Sequence, residues 1–574
     1  MSAERNKRPL SSAPLPPSKR QHAPGGSHYP HTIKPTFDNL LYDELILVIF
    51  SYLPWTDLCA VQRINRNWAR LALDNQLWKR LYLGEYGRLR LRGARGFVGR
   101  ADGREVKPLP GRVKSEEVKD WKWMFRISSN WRTGRCSVEN LHTGLDYRRT
   151  GRPSIDPRRA RSYPDEQTFL LLTGNTTISA SSYPSTAPRI SLMAPGLESH
   201  SLRSPSTRSS DPIRITALAL DQSPPSIMHR IRLVSFLSTG EFCVFHVDHH
   251  TPAHSSRLLT YVPATRNART YPIIQAVYHH PLLVTLSQSF QLSLYDLSDD
   301  TVAHTQTLTS FTSHPPSSLV LSVLSPSTFK LVLAYAIPVY PSHWSVGATE
   351  LIISRGSASD FGTRMTVSAS RTTRAIDVPQ GWIDEHKLRL IREQWARKVA
   401  RVADTQTDGK WVVLAPGDPL PRTRAVSPTP STSSASSSSS PKPTYMSSNM
   451  YTASALQLYR LHLPSSSSPT AVPKLTFVRS LHGQIGPVSA LALADGRCVS
   501  LSANGSIWVW DLEGGTGAEV SAGLDIENEQ DDQTVRIEEE RQHLADAVKG
   551  TIVFDERRII TSDMDGVRVW RFDV

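Results

Sequence analysis

Residues Ser489–Glu513 read SALALADGRCVSLSANGSIWVWDLE. Three runs of alternating apolar residues are separated by Asp495-Gly496 and Asn504-Gly505, dipeptides that accept the positive φ of tight hairpin turns. The stretch therefore predicts three antiparallel strands, entered through Gly486-Pro487 and closed by Trp510-Asp511. A second copy, GTIVFDERRIITSDMDGVRVWRFDV, fills Gly550–Val574, with Asp565-Gly566 and Trp570 in the equivalent places and Arg571 where the first copy has Asp511. The two Trp lie 570 − 510 = 60 residues apart. The acidic, Gln-bearing stretch Asp525–Glu540 accounts for much of that spacing and reads as an inserted loop.

This unit resembles a WD-repeat blade, whose period is about 40 to 45 residues. Weaker copies lie upstream: LVSFLSTGEFCVFHVD from Leu233, LLVTLSQSFQLSLYDL from Leu282, and strand groups near Thr168–Leu192, Leu319–Ser354 and Met365–Leu463. With the two clear copies these make seven. From Asp156 to Val574 there are 419 residues, and removing about 70 for the fifth group's insertions and 16 for the acidic loop leaves roughly 48 per unit. The resemblance implies a mainly β fold with a divergent propeller of about seven blades over residues 156–574. Insertions are expected at about 381–450 and 522–541.

The first insertion has two parts. Ser427–Lys442, SPTPSTSSASSSSSPK, holds nine Ser and no aliphatic side chain larger than Ala, a composition expected to be disordered. Before it, Asp384–Asp404 reads as a helix with Leu388, Ile391, Trp395, Val399 and Val402 on one stripe, flanked by Lys387, Arg389, Arg392, Arg397, Lys398 and Arg401. Such a stripe is expected to pack on its own domain; a membrane surface or an acidic groove is the alternative.

At the other end, residues 1–36 are Pro-rich with paired basic clusters and read as a disordered tail. Lys7-Arg8 and Lys19-Arg20 resemble a minimal bipartite nuclear-import pair. Residues 37–83 change to a helical pattern, LLYDELILVIFSYLPWTDLCAVQRINRNWARLALDNQLWKRLYL from Leu40. Asp43, Thr56 and Asn65 are placed to cap three short helices. The first is apolar nearly all round: Leu45, Val48, Ile49 and Tyr52 fill one face, and Ile46, Leu47, Phe50 and Leu53 much of the rest. A helix of that kind must be buried nearly all round, and fewer than 50 residues cannot enclose it. The surplus apolar surface calls for a partner or another domain.

The segment resembles an F-box, the docking module through which ubiquitin-ligase receptors bind the Skp adaptor. The residues that carry the resemblance are Leu41, Glu44-Leu45, Ile49-Phe50, Leu53-Pro54, Asp57-Leu58, Val61, Trp68 and Leu77-Trp78. It implies adaptor contacts from Leu41, Glu44, Leu45, Ile49, Leu53, Pro54, Asp57, Leu58, Val61, Trp68, Leu77 and Trp78. The family pattern has Leu-Pro where this chain has Leu41-Tyr42, which puts the adaptor affinity in question. Residues 84–118 form a basic, Gly-rich linker. Residues 119–155 are a helical connector, in which Asn130-Trp131-Arg132-Thr133-Gly134 resembles the string leading into the first blade of F-box/WD-repeat proteins.

Composition bounds the function. Net charge is 66 − 52 = +14, and Arg88–Arg161, with 20 Lys or Arg against 8 Asp or Glu, supplies +12 of it. Nucleic acid is the sharp reading of Arg88–Arg104, but only Phe97 interleaves as a stacking aromatic, so a solvated connector is expected. The longest strongly apolar run, Leu331–Tyr340, has ten residues, against about 20 for a membrane helix. The first residues hold no apolar signal region. Cytoplasm or nucleus is the expected location.

Cys59, Cys136, Cys243 and Cys498 stand far apart and read as reduced thiols. No phosphate-loop, dinucleotide, nucleophile-elbow or zinc-protease signature is present. His249, His250 and His254 sit without a thiol or carboxylate at ligand spacing, so neither metal nor cofactor is expected. The resemblance implies a non-catalytic substrate receptor of a Skp/cullin/F-box ubiquitin ligase. The adaptor brings cullin, and the propeller holds a protein target, phosphorylated or not. The other reading is a scaffold that binds the Skp adaptor without cullin in trafficking or assembly.

Overall fold

The computed structural model describes residues 40–87, 120–141, 167–174, 176–208, 211–223, 230–248, 251–263, 271–298, 301–339, 343–356, 364–376, 381–417, 455–464, 472–494, 496–522, 549–563 and 566–574. The N-terminal tail, most of the basic linker, the Ser-rich and acidic insertions, and Asp495, Asp565, His249 and His250 lie outside them. The chain divides after Leu77 into two compact units.

The first unit contains α1 (Asp43–Phe50), α2 (Trp55–Val61) and α3 (Arg66–Ala72). A fourth helix, α4 (Asn75–Tyr82), crosses the division. Asn65 caps α3 as its sequence demands, its side chain accepting from Trp68 N at 2.7 Å. The other two expected caps are corrected. Tyr42 and Pro54 hold the N-cap positions of α1 and α2 without side-chain bonds. Pro54, at φ −65° and ψ 159°, already has the extended geometry of an N-cap, so α2 starts at once and Thr56 falls inside its first turn. Asp43 becomes the first residue of α1 and pairs with Arg70 at 2.5 Å.

The second unit is built on seven sheets, antiparallel except for one short parallel pairing at an edge. Six hold four strands each, in sequence order from the inner to the outer edge. The strands of blade one start at Thr168, Thr176, Arg189 and His200. Blade two runs from Ile215 to Tyr261, blade three from Ile273 to Thr309, and blade four from His314 to Arg374. Blade five runs from Arg401 to Leu481 and blade six from Val488 to Glu519.

Blade seven takes three strands from Thr551–Arg571, its fourth, Arg135–Leu141, from the other end of the chain, and a short fifth, Ser521–Ala522, parallel to the fourth. That strand runs antiparallel to Gly566–Arg571, with Ser137 opposite Arg571 and Leu141 opposite Val567. The connector thus supplies a strand as well as a helix. The fourth and fifth strand groups are also redrawn, because Met365–Arg374 is the outer strand of blade four. Its alternate residues are exposed at the rim, so it carries no full apolar face to mark its sheet.

Apolar cores lie between successive blades. One joins blades one and two through Ile190 and Phe245, and others join two with three, three with four, and so on round the ring. The last packs Leu170 of blade one against Ile560 and Val569 of blade seven. The ring is therefore closed by burial as well as by the Arg135–Leu141 strand. The conspicuous Trp residues serve these interfaces. Trp510 Nε1 donates to Ser500 Oγ at 3.3 Å, Ser500 donates to Gln484, and Trp570 Nε1 donates to Thr561 Oγ1 at 3.2 Å.

Helix α5 (Trp121–Thr133) precedes the closing strand, capped by Asp120, whose side chain accepts from Trp123 N at 3.0 Å. It ends at Gly134 with φ +72°, where a Cβ would collide with the Glu519 carbonyl. Trp131 stacks on Phe572 with centroids 4.1 Å apart and donates to Glu556 O at 2.9 Å. Asn130 donates to Phe572 O at 2.9 Å. The Asn-Trp-Arg-x-Gly string is thus the fastening of α5 to blades six and seven. The inserted helix, α6 (Glu385–Ala396), is shorter than its sequence suggests. Val399 leaves it to bridge Trp344, and Val402 enters the inner strand of blade five.

Candidate functional site

Helix α1 divides its apolar residues between two sides. Ile46 and Phe50 are buried, and the Phe50 ring meets Trp68 edge-on with centroids 5.6 Å apart. Leu58 of α2 and Leu71 and Ala72 of α3 are buried with them. On the other side Leu45, Val48, Ile49 and Tyr52 are 49%, 54%, 43% and 78% exposed. Their spacing of i, i+3, i+4 and i+7 makes one continuous stripe along the helix. Trp55, Ile64 and Leu73 add exposed apolar area within the same unit. Scattered surface leucines need no explanation, but a contiguous stripe on so small a unit marks an interaction site.

The twelve candidate residues fall into three environments. Glu44, Leu45, Ile49, Pro54 and Asp57 are exposed, and Leu41, Leu53, Val61 and Trp68 are half-buried. Leu58, Leu77 and Trp78 are interior. Trp78 lies in the second unit, edge-on to Phe125 of α5 with centroids 5.6 Å apart and beneath the Lys122 ammonium. Val48 and Tyr52 were absent from the twelve, although helical spacing from Leu45 puts them on its face.

The propeller offers its own surface. In every blade the inner strand begins, and the second strand ends, on the same face. Tyr271, Phe311, Trp382 and Ile485, on outer-to-inner connections, stand exposed on that face, and Tyr183 joins them from a second-to-third turn. Helix α5 packs at the opposite ends of these strands, against Phe554 and Phe572.

Among the described residues no group of three or more His, Cys, Asp or Glu is placed to hold a metal ion. No described helix is long and apolar enough to cross a membrane. The four cysteines are free, Cys59 half-buried and the others buried, and burial pushes the Cys136 thiol up to about 11. A thiol so disfavoured as thiolate is a packing group rather than a nucleophile.

The chain combines a helical module carrying an exposed apolar stripe on α1 with a seven-bladed β-propeller. The chain belongs to the family described as F-box protein pof12 beta-propeller, whose model matches residues 195–568, and an F-box-like model matches residues 43–84. It is similar to an F-box protein of Saccharomyces cerevisiae, 28% identical over 137 residues that make up 20% of each chain. It is also similar to a probable E3 ubiquitin ligase complex SCF subunit, sconB, of Arthroderma otae, 30% identical over 125 residues that make up 18% of each chain. The chain thus matches only about a fifth of the length of these curated relatives. Among solved structures, the WD40 propeller domain of Doa1 aligns with 71% of this chain and 93% of its own, at 9% identity and a TM-score of 0.32.

Proposed function

We propose that this protein is the substrate-recognition subunit of a Skp/cullin/F-box ubiquitin ligase. The observation that carries the reading is the two-sided α1 in a segment matched by the F-box-like model: Ile46 and Phe50 hold the unit together, while Leu45, Val48, Ile49 and Tyr52 are left for a partner. In this reading the Skp adaptor covers that stripe and brings cullin, and the propeller holds a target protein in the cytoplasm or nucleus. The chain supplies no chemistry of its own. It supplies proximity, holding a target lysine near the conjugating enzyme so that a bimolecular transfer becomes effectively intramolecular.

The test is a double charge insertion, Leu45→Asp with Ile49→Asp. Both side chains are close to half exposed in the free chain, so the variant is expected to keep its fold, whereas in the complex each carboxylate is buried unpaired at a cost of several kcal/mol. Adaptor co-purification is expected to fall at least a hundredfold with the melting temperature unchanged. Undiminished adaptor binding overturns the docking assignment.

A further inference from the structure

Four large apolar side chains stand in the open on four successive connections of the propeller: Tyr271 before blade three, Phe311 before blade four, Trp382 before blade five and Ile485 before blade six, 44%, 91%, 85% and 43% exposed. One such residue alone means little. Here each is carried on backbone that is bonded in place. Gln288 N donates to Pro272 O, next to Tyr271, at 3.0 Å. Ser310 Oγ and Ser313 Oγ, 2.8 Å apart, close the turn that holds Phe311. Lys387 Nζ donates to Trp382 O at 2.9 Å, and Ser502 Oγ donates to Ile485 O at 2.8 Å beside the buried Gln484. Trp382 also marks the entry to α6, none of whose residues is buried, so the expected packing of that helix's stripe on its own domain is not met. Apolar side chains held out on fixed backbone lose little freedom when a partner covers them, which is the property of binding anchors.

The connection before these, between blades one and two, differs in charge. Residues 203–214 carry Arg203, Arg208 and Arg214 against Asp211. All three arginines are exposed, and none forms an ion pair with a described residue. Arg208 leans toward the apolar series: its guanidinium donates to Pro263 O, on the connection that bears Tyr271. The loop beneath it is pinned by Glu241, which is buried and accepts from Ser206 Oγ, from Thr207 N at 3.2 Å, from Thr207 Oγ1 and from Thr239 Oγ1 at 3.0 Å. Burial alone would raise that carboxyl, but these donors hold it below its ordinary value, so it stays ionised on hydroxyl and amide groups rather than on an arginine. Packed sheets lie about 10 Å apart and an extended chain advances about 3.3 Å per residue, so neighbouring anchors match roughly every third residue of a bound strand. By the same measure the arc from Arg208 to Ile485 matches about 12 residues. An arc cationic at one end and apolar along the rest selects a ligand with the complementary order.

We propose that this arc holds the target, and that the target presents an extended acidic–apolar segment: carboxylates on Arg208 and Arg214, then large apolar side chains at about every third residue on Tyr271, Phe311, Trp382 and Ile485. This assignment rests on the receptor reading and adds to it the chemistry of the target. Phosphorylation is not required, because the apolar anchors carry the affinity and the arginines set direction and register.

Peptide selection on the full chain tests it. Two synthetic bead libraries of random linear peptides, about 12 residues long, are panned, one unmodified and one with phosphoserine fixed at its centre. Peptides from the unmodified library are expected to combine Asp or Glu near one end with Phe, Leu, Ile or Trp beyond it. They should bind at least tenfold more weakly to Phe311→Ser with Trp382→Ser. Both rings are nearly fully exposed, so that variant keeps its melting temperature and its adaptor. Arg208→Gln with Arg214→Gln should weaken the same peptides about twofold to fivefold and remove their sensitivity to salt at about 0.5 M. The absence of an acidic–apolar consensus, or a consensus that binds the Phe311, Trp382 variant undiminished, overturns the proposal. So does binding from the phosphoserine library alone that depends on the arginines and not on the rings. The ligase reading fails by a different result, undiminished adaptor binding in the Leu45→Asp, Ile49→Asp variant, which leaves the peptide selection unchanged.

Discussion

Tyr42 stands where the F-box pattern has Pro, and its backbone explains why the unit tolerates the change. At φ −70° and ψ 152° it holds the extended N-cap geometry that Pro would impose, and its carbonyl accepts from Leu45 N and Ile46 N at 3.0 and 3.2 Å. Its ring is 79% exposed, so little packing depends on it. Tyr42→Pro is therefore expected to preserve α1 and to stabilise the unit by about 0.4 to 1 kcal/mol through the unfolded chain, which has fewer conformations to lose. A lowered melting temperature would show that the Tyr42 N–H or ring makes a contact Pro cannot replace. At this scale the sequence was legible where chemistry is local. Asn65 capped as its side chain requires, but Asp43 and Thr56 did not, because Pro54 and the extended Tyr42 began their helices one or two residues away from the side chains chosen. Periodicity marked α1 as apolar all round without telling the inward side from the outward one, a distinction made by Trp68 and the rest of the unit.

Elements were legible in proportion to how locally they pair. Blades six and seven announced themselves through hairpins turned by Gly505 and Gly566, both at positive φ. The strand Arg135–Leu141 gave no such sign, since its partner lies more than 400 residues along the chain and the burial pattern is mostly exposed. Its position depends on α5. Trp131 is 2% exposed, stacked on Phe572, lies under Arg497 at 4.7 Å, and donates to the Glu556 carbonyl. Trp131→Ala removes that packing and leaves the half-buried Glu556 carbonyl without its donor, at a cost of about 3 to 5 kcal/mol. The loss falls where the ring closes. Limited proteolysis should then release or nick the segment around 120–141 well before the blades unfold. Trp131→Ala with wild-type protease resistance would mean that strand pairing alone closes the ring. Asn130→Ala, which removes the bond to Phe572 O and the longer one to Val574 O, is expected to cost about a third as much.

For the whole molecule the consequence is a division of labour between two units. The apolar stripe of α1 belongs to the unit ending at Leu77, and the exposed aromatics at the strand ends belong to the unit that follows. Each has its own core, so removing residues 37–77 leaves the seven inter-blade cores intact. In the receptor reading target binding depends on the propeller's loops and should survive that deletion. Turnover, which in the receptor reading depends on the adaptor, should stop. The expected result is that the principal partner co-purifying with the deleted chain does so undiminished, while its half-life after protein synthesis is blocked lengthens severalfold relative to cells with the intact chain. A scaffold behaves otherwise, because losing the adaptor then alters where the partner assembles and leaves its lifetime unchanged. Equal half-lives for every partner retained by the propeller would therefore move the assignment from receptor to scaffold. The Leu45→Asp, Ile49→Asp variant, run in the same chase, separates loss of docking from loss of the unit, since it keeps the helices and removes only their outward grip.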